Sequence, residues 1–137
     1  MDQYANSTLF SVINAGKSLE QDLSEALGRI GLSMAKYGAL CVLAASAEPL
    51  PLSVCARRMT CVRSNITQLM DRLAADGLIE READPLDRRS VRAKLTSKGA
   101  ELQLAGDQIC SDIESDLAGL FEAQEAKILR STLHRIS

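Results

Sequence analysis

At Gly77 the hydrophobic repeat of this chain drops from one helical turn to two residues, and at Thr96 it returns to helical spacing. Alternation lodged between helical stripes leaves few folds open: a mainly α chain that carries one small β element. Upstream, Leu9, Val12, Ile13, Gly16, Leu19, Leu23, Ala26, Leu27 and Ile30 keep a 3.6-residue period before Gly28 and Gly31 stop it. Ser33 is placed to cap a second helix carrying Met34, Tyr37, Cys41 and Ala45, which Pro49 and Pro51 end. Leu52, Cys55, Ala56 and Met59 predict a short third helix over Pro51–Met59. Ile66, Leu69, Met70 and Leu73 predict a fourth from about Val62 to Asp76, closed by Gly77 in the left-handed region.

Within the alternating segment, Leu78–Glu82 and Ser90–Leu95 read as strands, and Asp84-Pro85-Leu86-Asp87-Arg88-Arg89 as the polar turn between them. The result is a β-hairpin with a charged tip. Thr96 and Ser97 then cap a long helix bearing Leu102, Ala105, Ile109, Ile113 and Leu117. An interruption near Gly119 precedes a last helix with Ala126, Leu129, Leu133 and Ile136. The predicted order is α-α-α-α-β-β-α-α.

A chain of 137 residues suits one domain, and 46% hydrophobic with 25% charged residues excludes disorder. Aromatics at 3% and no tryptophan make the core aliphatic and argue against base stacking. The apolar runs are far short of a membrane span, and the first residues do not read as a secretory signal. Cys41, Cys55, Cys61 and Cys110 lack the spacing of a disulfide framework, so a reduced, cytoplasmic protein is expected. Net charge is only −2, yet it is unevenly spread. Ser53–Lys98 holds ten basic against six acidic residues, a net +4, which leaves −6 for the rest. A basic middle between acidic ends suits a polyanionic partner.

Two short helices followed by a hairpin describe a winged helix-turn-helix, in which the first braces the second against the major groove. With the apolar stripe of the fourth helix inward, its outer side carries Ser64, Thr67, Gln68 and Asp71, flanked by Arg63 and Asn65. Short hydrogen-bonding side chains suit base edges and phosphates better than the Glu and Lys of an ordinary solvated helix.

The runs Ile66-Thr67-Gln68-Leu69-Met70-Asp71-Arg72-Leu73, Gly77-Leu78-Ile79-Glu80-Arg81, Asp84-Pro85-Leu86-Asp87-Arg88-Arg89 and Leu95-Thr96-Ser97-Lys98-Gly99 resemble, in register, the MarR (multiple antibiotic resistance regulator) family of transcription factors. The resemblance implies a homodimer joined by terminal helices, with 1–32 and 96–137 as dimerisation helices around a DNA-binding region at 33–95. It implies that Arg89 enters the minor groove, that Asp87 and Arg72 support the wing, and that Arg88 faces a phosphate. Val62 stands where the family usually has a capping Ser, Thr or Asp, so either Thr60 caps the recognition helix or the helix begins one residue early.

Relatives of this kind commonly release DNA when a small, often aromatic, molecule binds or a cysteine is oxidised. Cys61 and Cys55 bracket the helix-turn-helix and are the candidate redox thiols, with Arg57, Arg58 and Arg63 near enough to favour a thiolate. Packing is the other account, since Cys55 and Cys41 both lie on inward stripes. A single histidine, His134, and no C-x-x-C pair speak against a metal site, and no catalytic motif or cofactor signature is present. The reading is a DNA-binding repressor without enzymatic activity. Its rival is a winged-helix protein-interaction module without DNA affinity, which would carry apolar residues at the hairpin tip and on the outer helix face.

Overall fold

The computed structural model describes Tyr4, residues 6–59 and residues 65–137. The chain is mainly helical: α1 (Thr8–Gly28), α2 (Met34–Ala44), β1 (Leu50–Pro51), α3 (Leu52–Arg58), α4 (Ile66–Ala75), β2 (Ile79–Asp84), β3 (Asp87–Leu95), α5 (Ser97–Ala118) and α6 (Ala123–Leu133). The strands form one antiparallel sheet in the order β1-β3-β2. The expected order lacked β1. Its two residues pair Leu50 with Ala93 and Pro51 with Arg92, too short a run for any alternation to show. Pro51, which has no amide hydrogen, is tolerated because β1 is an edge strand.

Side-chain caps set most boundaries. Ser7 accepts from the amide of Phe10, and Ser33 from that of Lys36 at 3.1 Å, as expected for α2. Gly31 and Gly77 have φ of +81° and +73° and carry the chain out of α1 and α4. Thr96 does more than cap. Its hydroxyl accepts from the Gly99 amide at 3.0 Å and donates to the Gly77 carbonyl at 2.7 Å, while its own amide donates to Leu78. The start of α5 is thereby stitched to the turn after α4.

The core sits where α2, α3, α4 and the sheet meet the C-terminal end of α1. Leu27, Leu40, Cys55, Met70 and Leu73 are fully enclosed, with Leu32, Leu43, Leu69, Leu78 and Ile79 around them. Among the described residues no polar side chain is buried there, which matches the aliphatic composition. Leu69, Met70 and Leu73 are inward as predicted, whereas Ala56 of α3 is exposed. Outside this core the elements thin out. Leu27 is the one buried residue of α1, and α6 has none.

Candidate nucleic-acid interface

The helix-turn-helix places α4 as the second helix, with Thr67, Gln68 and Asp71 exposed opposite Leu69, Met70 and Leu73. Its start differs from expectation. Asn65 is the N-cap, its Oδ1 accepting from the amides of Thr67 at 3.1 Å and Gln68 at 3.3 Å. The helix therefore begins at Ile66 rather than near Val62. The expected cap at Thr60 and the candidate residues Cys61, Arg63 and Ser64 lie outside the described residues. Asn65, read from the sequence as a flanking contact, has its carbonyl oxygen committed to the backbone.

Three polar links lock α4 in place. Asp71 pairs with Arg81 of β2, fastening the helix to the hairpin. At its C-terminal end, Lys36 of α2 lies 2.8 Å from the Asp76 carboxylate, and Lys98 of α5 donates to the Asp76 carbonyl at 3.0 Å. The Lys36 ammonium holds the Asp76 carboxyl below its ordinary value. Arg72, expected to support the wing, makes no ion pair with a described residue. Its neighbour Asp71, which had been placed on the outer recognition face, makes that link instead. An oppositely charged residue opposite Asp71 was the missed signal, and it could be found only with the hairpin's position known.

The hairpin is tighter than the sequence suggested. Both strands run to the tip, leaving Pro85-Leu86 as a two-residue turn. No described non-glycine residue has a positive φ, so the turn is not one of the primed types whose twist suits a two-residue hairpin. The mismatch is absorbed as a register shift. Ala83 pairs with Val91 and Asp84 with Asp87, so Arg88, Arg89 and Ser90 have no opposite number on β2. Arg88 and Arg89 thus lie on β3 and not in a loop, and both are exposed.

Asp87 acts on this bulge through the backbone. Its Oδ1 accepts from the Arg89 amide at 2.9 Å, and Asp84 does the same for the Leu86 amide at 2.9 Å. The resemblance had implied that Asp87 holds the wing arginine; the bond observed is to its main chain. Lower on the wing the charges are matched across the strands, Arg92 with Glu82 at 2.6 Å and Lys94 with Glu80 at 3.7 Å. Arg88 and Arg89 form no ion pair with any described residue. At the tip, both guanidinium groups are thus left without an ion pair among the described residues, while Asp84 and Asp87 bond the tip's own backbone.

The described thiols lie away from the wing. Cys55 is fully enclosed, and burial pushes its thiol up despite nearby Arg58. This favours the packing account for it. Cys41 belongs to a polar cluster between α2 and α5: Tyr37 donates to Asp107 at 2.5 Å and Gln103 to the same carboxylate at 2.7 Å. Burial raises both the Tyr37 hydroxyl and the Cys41 thiol. Tyr37 and Cys41 were read from the sequence only as members of an inward stripe, and their polar partners on α5 were not read at all. No group of side chains suited to a metal occurs among the described residues. No described helix is long and apolar enough to cross a membrane.

The MarR family model matches residues 32–91, the stretch that holds α2, the helix-turn-helix and nearly all of the wing. The transcriptional regulator PrsX of Escherichia coli is 31% identical over 126 residues, covering 85% of this chain and 76% of that protein. The chain belongs to the MarR family. A MarR-like transcription regulator from Bacillus cereus superposes with a TM-score of 0.83 at 30% identity, over 95% of this chain and 94% of that one. A variant of E. coli MarR in complex with operator DNA shares the fold, with a TM-score of 0.80 at 24% identity and 99% of each chain covered. This MarR-family chain is a DNA-binding transcription regulator of winged-helix architecture.

Proposed function

We propose that this MarR-family regulator is a cytoplasmic homodimeric repressor that grips a pseudo-palindromic operator with paired α4 helices and wings. The observation that carries the reading is the wing tip, where Arg88 and Arg89 bulge from β3 without an acidic partner among the described residues. Guanidinium groups so placed suit the concentrated negative potential of a minor groove, with Arg89 inserted and Arg88 on a phosphate. Thr67 and Gln68 on the outer face of α4, with Arg63 and Ser64 ahead of it, address base edges and the backbone of the adjoining major groove. Residues 33–95 form the DNA-binding region, and 1–32 with 96–137 join the two copies. Two-fold symmetry then sets the recognition helices about 34–36 Å apart, one duplex turn.

Release by a small, aromatic effector fits an open groove of about 430 Å³ between the end of α2, β3 and α5. Leu43, Pro49, Leu95 and Leu104 give it apolar walls, and Lys94 and Gln103 polar groups. It lies at the junction of the dimerising and DNA-binding parts, where an occupant biases their relative placement. Release by oxidation at Cys55 is disfavoured by its enclosure.

The interaction-module reading has one observation in its favour: Leu86 at the wing tip is 95% exposed. Arg89→Ala separates the two. It is expected to weaken binding to the selected operator by about 1–3 kcal/mol without altering the fold, and wild-type affinity is expected to fall steeply with salt. Fluorescence anisotropy at several salt concentrations measures both; an unchanged Arg89→Ala affinity or a salt-insensitive complex favours the interaction module.

A further inference from the structure

We infer that Leu86 is an apolar wedge which the wing presses into the minor groove of the bound duplex, bending it. This rests on the DNA-binding reading above and extends it to a residue that carries no charge. Leu86 is 95% exposed, whereas every other large hydrophobic described as exposed keeps a quarter or more of its surface covered. With no positive φ at the tip, most residue types would serve the turn as well as a leucine, so the turn itself does not call for one.

The leucine is also held stiffly. Pro85 fixes the backbone before it, the Asp84 carboxylate takes its amide at 2.9 Å, and Asp87 takes the Arg89 amide at 2.9 Å. Both carboxylates are thus turned to the tip's own backbone, while Arg88 and Arg89 bulge beside the leucine. The backbone of the tip therefore has little ordering entropy left to lose when it meets a partner.

The surroundings favour DNA over protein as that partner. A protein hot spot needs an apolar or aromatic anchor within a patch that excludes water, and Leu86 is flanked in sequence by Asp84, Asp87, Arg88 and Arg89. A minor groove offers walls of sugar C–H and a base step that one apolar side chain can part. Arg89 in the groove and Arg88 on a phosphate flank it while it does so.

The test uses a duplex enriched from a random-sequence pool by the full-length wild-type protein. Affinity, its salt dependence and the end-to-end distance of the duplex by energy transfer are compared for wild type, Leu86→Ala, Leu86→Met and Arg89→Ala. Leu86→Ala is expected to bind about tenfold more weakly, equivalent to partial loss of one buried leucine. The duplex should straighten with the salt slope unchanged, while Leu86→Met keeps both affinity and bend. Arg89→Ala should instead flatten the salt slope. Wild-type affinity and bend in Leu86→Ala overturn the wedge, also if that variant fails to regulate transcription, which would assign the leucine to a protein contact. If the wild-type protein enriches no duplex, it is the DNA-binding reading that fails.

Discussion

Gly99 stands where α5 leaves the wing, and its missing side chain is a requirement of packing. A Cβ there would lie 1.9 Å from the Leu78 carbonyl oxygen and 2.9 Å from its carbon. Backbone cannot step aside without undoing the Thr96 bonds to Gly77 and Gly99, so the L-T-x-x-G run is a single joint. Gly106 is a contrasting case, because its Cβ would meet the Tyr37 ring at 2.5 Å. We predict that Gly99→Ala costs about 3 kcal/mol or more and Gly106→Ala about 1–3 kcal/mol, measured by urea unfolding. The Gly106→Ala cost should fall in a Tyr37→Ala background, whereas the Gly99→Ala cost should not. Equal costs for Gly106→Ala in the two backgrounds would remove the ring contact as the cause.

At the scale of elements, α4 is held by charged groups at its middle and at its C-terminal end, and one of these links titrates. Asp76 has its carboxyl depressed by Lys36. A depressed carboxyl stabilises the fold above its unfolded value and loses that contribution as pH falls through the lower folded one. Lys36→Gln should therefore flatten the dependence of stability on pH between neutrality and strong acid, with a small effect because the carboxylate is exposed; chemical denaturation across that range checks it, and an unchanged slope contradicts the pairing. Helices, glycine exits and the hairpin were legible because periodicity, Ser33, Gly77 and Thr96 are local signals. What escaped was set by partners distant in sequence or by pairing geometry. β1 exists only because β3 is beside it, Asp71 turned from recognition face to brace through Arg81, and the arginine bulge follows from a turn type that residue identities alone do not decide. Asn65 shows a further limit: a residue able to contact a base is equally able to cap a helix, and its carbonyl oxygen takes that second task.

For the whole molecule, surface area is the informative quantity. The chain exposes 9793 Å², against about 7,000 Å² expected for a compact monomer of 14.8 kDa. The excess is of the size that obligate subunits bury. It lies where the core is thinnest. Leu9, Val12, Ile13 and Leu19 of α1, Leu120 beyond α5, and Leu129, Leu133 and Ile136 of the C-terminal segment are all exposed. Val12 also shares an apolar groove with Leu133, His134 and Ile136, so the two ends of the chain meet there. A second copy of the chain is the occupant our reading requires, and terminal helices without a core of their own should depend on it. Wild-type protein is then expected to sediment as a dimer and to melt at a temperature that rises with concentration. Leu133→Glu should yield monomer with reduced helical circular dichroism and lose operator affinity by orders of magnitude, because one protomer engages one half-site. A monomeric Leu133→Glu protein that keeps full helicity would mean that α1 and α6 stand alone, and a wild-type chain that sediments as a stable monomer would refute the paired arrangement itself.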